Sequence, residues 1–142
     1  MKQNRRKSRE TAYALLFEWS FRVDETGQEV IELAEQSREI EVDPFAKELF
    51  LKAVENIAEM DKLIEKYADK WKINRLSKVV LTSLRLAFCE MLFFDDIPVG
   101  ATINEAVEIV KLYGAEDETA YVNGVLGTYE RQRRAEQEKQ GE

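Results

Sequence analysis

The sequence predicts an all-α fold of seven helices packed around one central apolar helix. Three observations predict it. Apolar residues recur at helical spacing through most of the 142 residues, and the strict alternation of a half-buried strand is nowhere sustained. Residues 79–94 include 12 apolar residues out of 16, so a helix there has almost no polar face and must be surrounded by others. Asn, Asp, Ser, Pro and Gly stand between the periodic segments, where helix caps and stops are needed.

The first helix is expected over residues 4–21, with Asn4 as N-cap and Ala12, Leu15, Leu16, Trp19 and Val23 turned inward. Arg6, Arg9 and Tyr13 fall in a neighbouring sector about 60° wide at 100° per residue. A break at 24–27 precedes a second helix over 28–39 that buries Val30, Ile31, Leu33 and Ala34. Asp43 then caps a third helix, with Pro44 at its first position, where a missing N–H costs nothing. Its inward residues are Phe45, Leu49, Phe50, Ala53, Val54 and Ile57. A break within 56–61 leads to a fourth helix carrying Leu63, Ile64, Tyr67 and Ala68.

Residues 71–77, including Trp71, connect to the central helix, which Ser77 caps and Asp95, Asp96, Ile97 and Pro98 end. In the sixth helix Ile103, Ala106, Val107, Val110 and Leu112 face inward, opened by a capping-box spacing from Thr102 to Glu105 and closed by Gly114. A short acidic loop, with Asp117 as the next cap, introduces a seventh helix bearing Tyr121, Val122, Val125 and Leu126. Gly124 and Gly127 on that helix would let a neighbour approach closely. Beyond Glu130 the chain is charged and Gln-rich, which reads as a frayed helix or disorder. We read one domain over 1–142, with N-terminal helices over about 4–57, C-terminal helices over about 59–136 and a disordered tail from about 137.

Composition narrows the function classes. The chain has no histidine and a single cysteine, Cys89, so neither a zinc site nor an internal disulfide is expected. No glycine-rich phosphate loop occurs among the six glycines, and no histidine is present to act as a base near neutrality. The expectation is a protein that is not an enzyme and takes no cofactor. Arg85 and Glu90 interrupt the most apolar stretch, so it is read as a core helix and not a membrane span. With Glu10 and Glu18 breaking any apolar run after the basic start, no signal peptide is expected and the location is read as cytoplasmic.

The net charge of −7 conceals an asymmetry: residues 1–9 hold Lys2, Arg5, Arg6, Lys7 and Arg9 without an acid, leaving −12 on the remainder. A solvated terminus is the plain reading of such a run. Arginine, however, pairs phosphates bidentately and stacks on bases, and Tyr13 follows as an aromatic platform. Positive charge at a helix N-terminus also opposes the helix dipole, so an anionic partner accounts for it better than helix stability does. Five cations on single-stranded RNA give a log–log salt slope of at most about −3.5, too little for a tight complex without further contacts. The second candidate is the turn with Tyr113, Gly114 and Asp117. There Tyr113 would stack on a base, Asp117 would accept from a base amino group, and free N–H groups of the last helix would meet a phosphate. As structure alone, Gly114 ends one helix and Asp117 caps the next.

Four segments in order carry a family likeness: Arg5-Arg6-Lys7-Ser8-Arg9-Glu10-Thr11-Ala12-Tyr13-Ala14-Leu15-Leu16-Phe17; Leu84-Arg85-Leu86-Ala87-Phe88-Cys89-Glu90-Met91; Asp96-Ile97-Pro98 with Ile103-Asn104-Glu105-Ala106-Val107-Glu108; and Tyr113-Gly114 followed by Tyr121-Val122-Asn123-Gly124-Val125-Leu126. In order and spacing they resemble the NusB transcription antitermination family. The resemblance implies seven helices in two sub-bundles. It also implies binding of single-stranded RNA, the box A element of ribosomal RNA leader transcripts, together with the ribosomal protein NusE in the transcription elongation complex. It places Arg5, Arg6, Arg9, Tyr13, Tyr113, Gly114 and Asp117 at the RNA. Val80 and Leu81 stand where the family commonly has an acid and a base, Ala120 where a lysine is common, and Gly127 where an aspartate is usual. An apolar partner contact at Val80, or a homodimer through it, is the corresponding expectation. The rival reading is a protein-only helical adaptor whose basic tip touches no specific RNA.

Overall fold

The computed structural model describes residues 4–37, 40–68 and 75–140, which form seven α-helices and no strand. They are α1 (Arg5–Trp19), α2 (Gly27–Ser37), α3 (Pro44–Glu55), α4 (Ile57–Tyr67), α5 (Lys78–Phe93), α6 (Val99–Tyr113) and α7 (Glu116–Gln140). The all-α, seven-helix expectation agrees with this order. Lys2, the expected end of the second helix at Glu39, and Trp71 in the expected connector lie outside the described residues.

Caps set the helix starts. The Asn4 side chain accepts from the Lys7 N–H at 3.3 Å. Asp43 accepts from the Ala46 N–H at 3.0 Å through one oxygen and from the Ser8 hydroxyl at 2.9 Å through the other, joining the cap of α3 to α1. Ser77 accepts from the Val80 N–H at 3.1 Å. Between α3 and α4 the break is a single residue, Asn56, which ends one helix and begins the other.

α5 packs against α1, α3, α4, α6 and α7, and Leu84 and Phe88 on it are fully buried. Burying a side chain of that size contributes about 1.5–3 kcal/mol. Two charges inside this helix are paired, as low-polarity surroundings require. Arg85 donates from Nε and Nη2 to Asp61 of α4 at 2.8 and 2.9 Å, and Glu90 receives Arg9 from α1.

Several local expectations are corrected. α1 stops at Trp19, whose Nε1 donates to the Glu25 carbonyl at 3.1 Å as the chain turns back. Val23 therefore leaves the helical face and is 62% exposed instead of buried. Leu33 and Leu112 are exposed as well. α6 begins at Val99 after Pro98, so Thr102 and Glu105 sit inside the helix and form no capping box. α7 is capped by Ala115, not Asp117: the Ala115 carbonyl accepts from the Glu118 and Thr119 N–H groups, while its own N–H donates to Glu118 at 2.9 Å. Gly114 leaves α6 in extended backbone, with φ of −117°, so no left-handed conformation requires glycine there. Space is tight, though: a Cβ would lie 3.1 Å from Val110 Cγ1 and 3.2 Å from the Val110 carbonyl oxygen, so these neighbours would have to give by a few tenths of an ångström. A Cβ on Gly124 would meet nothing within 4 Å and one on Gly127 only Arg131, so neither glycine seats a neighbouring helix. The charged segment after Glu130, including residues 137–140 of the expected disordered tail, continues as helix to Gln140.

Candidate nucleic-acid interface

The first turns of α1 distribute their cations in three directions. The Arg5 guanidinium lies 3.9 Å over the Phe45 ring of α3. Arg6 reaches α6, donating from Nε and Nη2 to the two carboxylate oxygens of Glu105, each at 3.0 Å. Arg9 turns into the core, where Nε and Nη2 clasp Glu90 at 2.6–3.0 Å, and Thr102 donates its hydroxyl to the same carboxylate at 2.9 Å. Arg6 and Arg9 are three residues apart and so leave α1 on one face, but at different depths. The Arg9 side chain is 9% exposed and the Arg6 side chain 56%.

Electrostatics follow from this geometry. The hydrogen bonds from Arg6 hold the Glu105 carboxyl below its ordinary range, and the same bonds raise the already high pKa of Arg6. Lys7 is exposed and its side chain makes no ion pair among the described residues. Among the described residues, the tip charges available to an anion are therefore Arg5, Lys7 and the part of Arg6 that Glu105 does not hold. Arg9 is committed to the interior.

α1 and the end of α6 meet through aromatic rings. Tyr13 on α1 stacks on Tyr113 at the end of α6, with centroids 5.3 Å apart and planes at 9°. The row continues along α1 through Phe17, stacked at 6.1 Å, to Phe21, edge-on at 5.2 Å. Tyr13 is 4% exposed, and burial pushes its hydroxyl pKa upward; Tyr113 is 55% exposed. The face open to a base is thus that of Tyr113, with Tyr13 as the layer beneath it. Gly114 lies beside it, and Asp117 is exposed in the first turn of α7.

That first turn also carries Glu116 and Glu118, and the Ala115 N–H is already taken by Glu118. Three carboxylates suit the helix dipole and make this end a poor seat for a phosphate. Glu118 accepts in addition from the Ser77 hydroxyl, tying the start of α5 to the start of α7, and this bond holds its carboxyl below the ordinary range. Val80 is 3% exposed and faces the core, so it offers no surface to a partner. Its neighbour Val79 instead lines a groove with Tyr13, Ala14, Phe17 and Tyr113.

Sequence reasoning missed the acidic partners. For Glu90 a signal existed, since a carboxylate inside the most apolar helix demands a cation. Glu105 carries no signal of that kind, and its spacing from Thr102 matches a capping box. Phe45 as the seat of Arg5 depends on packing between helices far apart in sequence. Among the described residues no group of His, Cys, Asp and Glu is placed to hold a metal ion.

Comparison with known proteins adds an independent line. The NusB family model matches residues 6–131. The transcription antitermination protein NusB of Natranaerobius thermophilus is 41% identical over 128 residues, covering 87% of this chain and 91% of that protein. The corresponding protein of Clostridium acetobutylicum is 43% identical over 126 residues, covering 87% and 93%. Among solved structures, T. maritima NusB superposes with a TM-score of 0.77 at 40% identity, over 90% of this chain and 91% of that one. A crystal structure of antitermination factors NusB and NusE in complex with dsRNA gives 0.76 at 34% identity, over 90% and 96%. With a family model spanning most of the chain, and relatives at this identity over nearly their full length, the chain belongs to the NusB family.

Proposed function

We propose that this protein is an RNA-binding antitermination factor, not an enzyme, which engages single-stranded box A RNA together with a NusE-type ribosomal protein. The observation that carries the reading is the Tyr13–Tyr113 stack. It joins α1, whose first turns carry the cations, to the end of α6 just before the turn into α7, and so supports reading the two segments as one RNA surface. In this reading Arg5, Arg6 and Lys7 meet phosphates, Tyr113 stacks on a base, and Asp117 accepts from a base amino group. Tyr13 supports the platform, Gly114 lets the strand pass close to backbone, and Arg9 holds α1 in place. The relative solved with NusE and dsRNA supports both kinds of partner.

The protein partner is assigned to the groove beside the RNA surface, where Phe17 and Val79 are partly open and Phe21 is 62% exposed. An apolar groove adjoining the cationic tip lets protein and RNA be held side by side, which compensates for the few free cations. The acidic remainder of the chain suits a basic ribosomal protein and, through it, the elongation complex. Among the described residues no helix is long and apolar enough to cross a membrane.

Fluorescence anisotropy with box A RNA and a scrambled control, with and without the NusE-type protein and over a salt series, tests the proposal. We expect selective binding that the partner strengthens, and a partner-free salt slope near −2 from three phosphate contacts. Y113A should lower affinity for box A, and V79D should abolish the partner's contribution while leaving RNA binding alone unchanged. Equal affinity for both RNAs with the partner present would end the RNA reading. Self-association abolished by V79D, with no NusE-type binding, would favour a homodimer on the groove.

A further inference from the structure

The Arg6–Glu105 pair has a geometry that decides what each residue can do. Glu105 grips the side edge of the guanidinium, through Nε and Nη2. Arginine has five N–H donors in a planar fork, so three remain, two on Nη1 and one on Nη2. Among the described residues these have no partner, and the Arg6 side chain is 56% exposed. Glu105 itself is 15% exposed, anchored in α6 two turns before Tyr113.

A bidentate grip uses two of the five donors, so Arg6 need not leave its carboxylate to bind a phosphate; the side-on grip decides that the donors left are those of the Nη edge. Releasing it would also strand a largely covered carboxylate next to a polyanion, which is the most expensive arrangement available to the pair. Glu105 therefore acts with the RNA and not against it. We infer that Glu105 is a positioning residue for RNA recognition, fixing the Arg6 guanidinium so that its Nη1 edge presents a ready-made site for an RNA phosphate where α1 meets α6. This rests on the assignment of the tip to RNA. It adds that an acid improves binding of a polyanion, the reverse of what net charge alone predicts.

Two variants separate orientation from charge. Glu105→Gln removes the charge and one strong acceptor, while Glu105→Asp keeps the charge but is too short for the side-on grip. Loss of orientation of one long side chain corresponds to about a two- to tenfold loss of affinity. The inference expects both variants to bind box A RNA that much more weakly at constant ionic strength. In the Arg6→Ala background neither substitution should have a further effect on RNA binding, a non-additivity that general destabilisation would not produce. Thermal melts followed by circular dichroism confirm that each variant is folded at the assay temperature.

Tighter binding by Glu105→Gln, or wild-type affinity in both variants, would overturn the inference while leaving the RNA assignment standing, provided the wild type still prefers box A and Arg6→Ala still weakens it. A wild type with no preference for box A over the scrambled RNA would remove the assignment, and this inference with it.

Discussion

Replacing Arg9 by methionine removes the cation from a buried pair and leaves a carboxylate behind. Glu90 has a side chain only 2% exposed and receives three short contacts from Arg9, against one from Thr102. Methionine restores most of the volume but none of the donors. Breaking one side of a buried pair costs about 3–5 kcal/mol, because the remaining charge keeps its desolvation penalty. For a domain of this size each kcal/mol moves the melting temperature by about 3 °C, so R9M should melt about 10 °C or more below wild type. Urea and thermal unfolding followed by circular dichroism read this directly. The double variant R9M/E90L removes the stranded charge and should recover at least half of the deficit, giving a coupling of about 2 kcal/mol or more. A cost below about 1 kcal/mol for R9M, or no recovery in the double variant, would refute the view that Arg9 is a structural residue enclosed by the core. The outcome also bears on RNA work: lost binding on changing Arg9 would report a loosened α1, not a missing phosphate contact.

Three further outcomes are expected. S77A removes the cap of α5 and its bond to Glu118, costing about 1 kcal/mol at neutral pH. Because folding lowers the Glu118 pKa, that part of the stability is present above its ordinary value near 4.5 and is lost as pH falls through the lowered folded value, so melts of wild type and S77A should draw closer with increasing acidity below that ordinary value. Cys89, buried in α5 with its thiol pushed up to about 12, should resist a thiol-labelling reagent at pH 8 in the native protein and react fully in denaturant; rapid native labelling would contradict the packing of α5. Y13F removes a buried hydroxyl that has no hydrogen-bond partner among the described residues, so stability should hold or rise by up to about 1 kcal/mol, with RNA affinity unchanged because Tyr113 is the open ring.

The helices were legible because their signals are local. Asn4, Asp43 and Ser77 each accept the N–H three residues on, as cap residues do, and the most apolar stretch, which follows Ser77, became the helix that touches most others. Of the candidate surface, what was legible is that α1 and the end of α6 adjoin, through Tyr13 and Tyr113. Its wiring was not. Whether an arginine faces solvent or clasps an acid 81 or 99 residues away depends on how α1 rotates against α5 and α6, and Arg6 and Arg9 share a face on any helical wheel. Thr102 and Glu105 misled because a capping spacing also arises inside a helix that starts earlier. Val80 misled because one step along a helix separates the groove from the core. Val23 misled because the periodicity outlived the helix.

The enclosure of α5 bears on how the molecule can be divided. It receives helices from both ends of the chain, α1 and α3 from the part before Asn56 and α4, α6 and α7 from the part after it. Neither group could close its own interior with this rod withdrawn. Severing the polypeptide between α3 and α4 should therefore yield two fragments that are insoluble alone and regain structure only when mixed. Melting of the intact chain should pass through a single transition, and the two sub-bundles would then be names for regions of one cooperative unit.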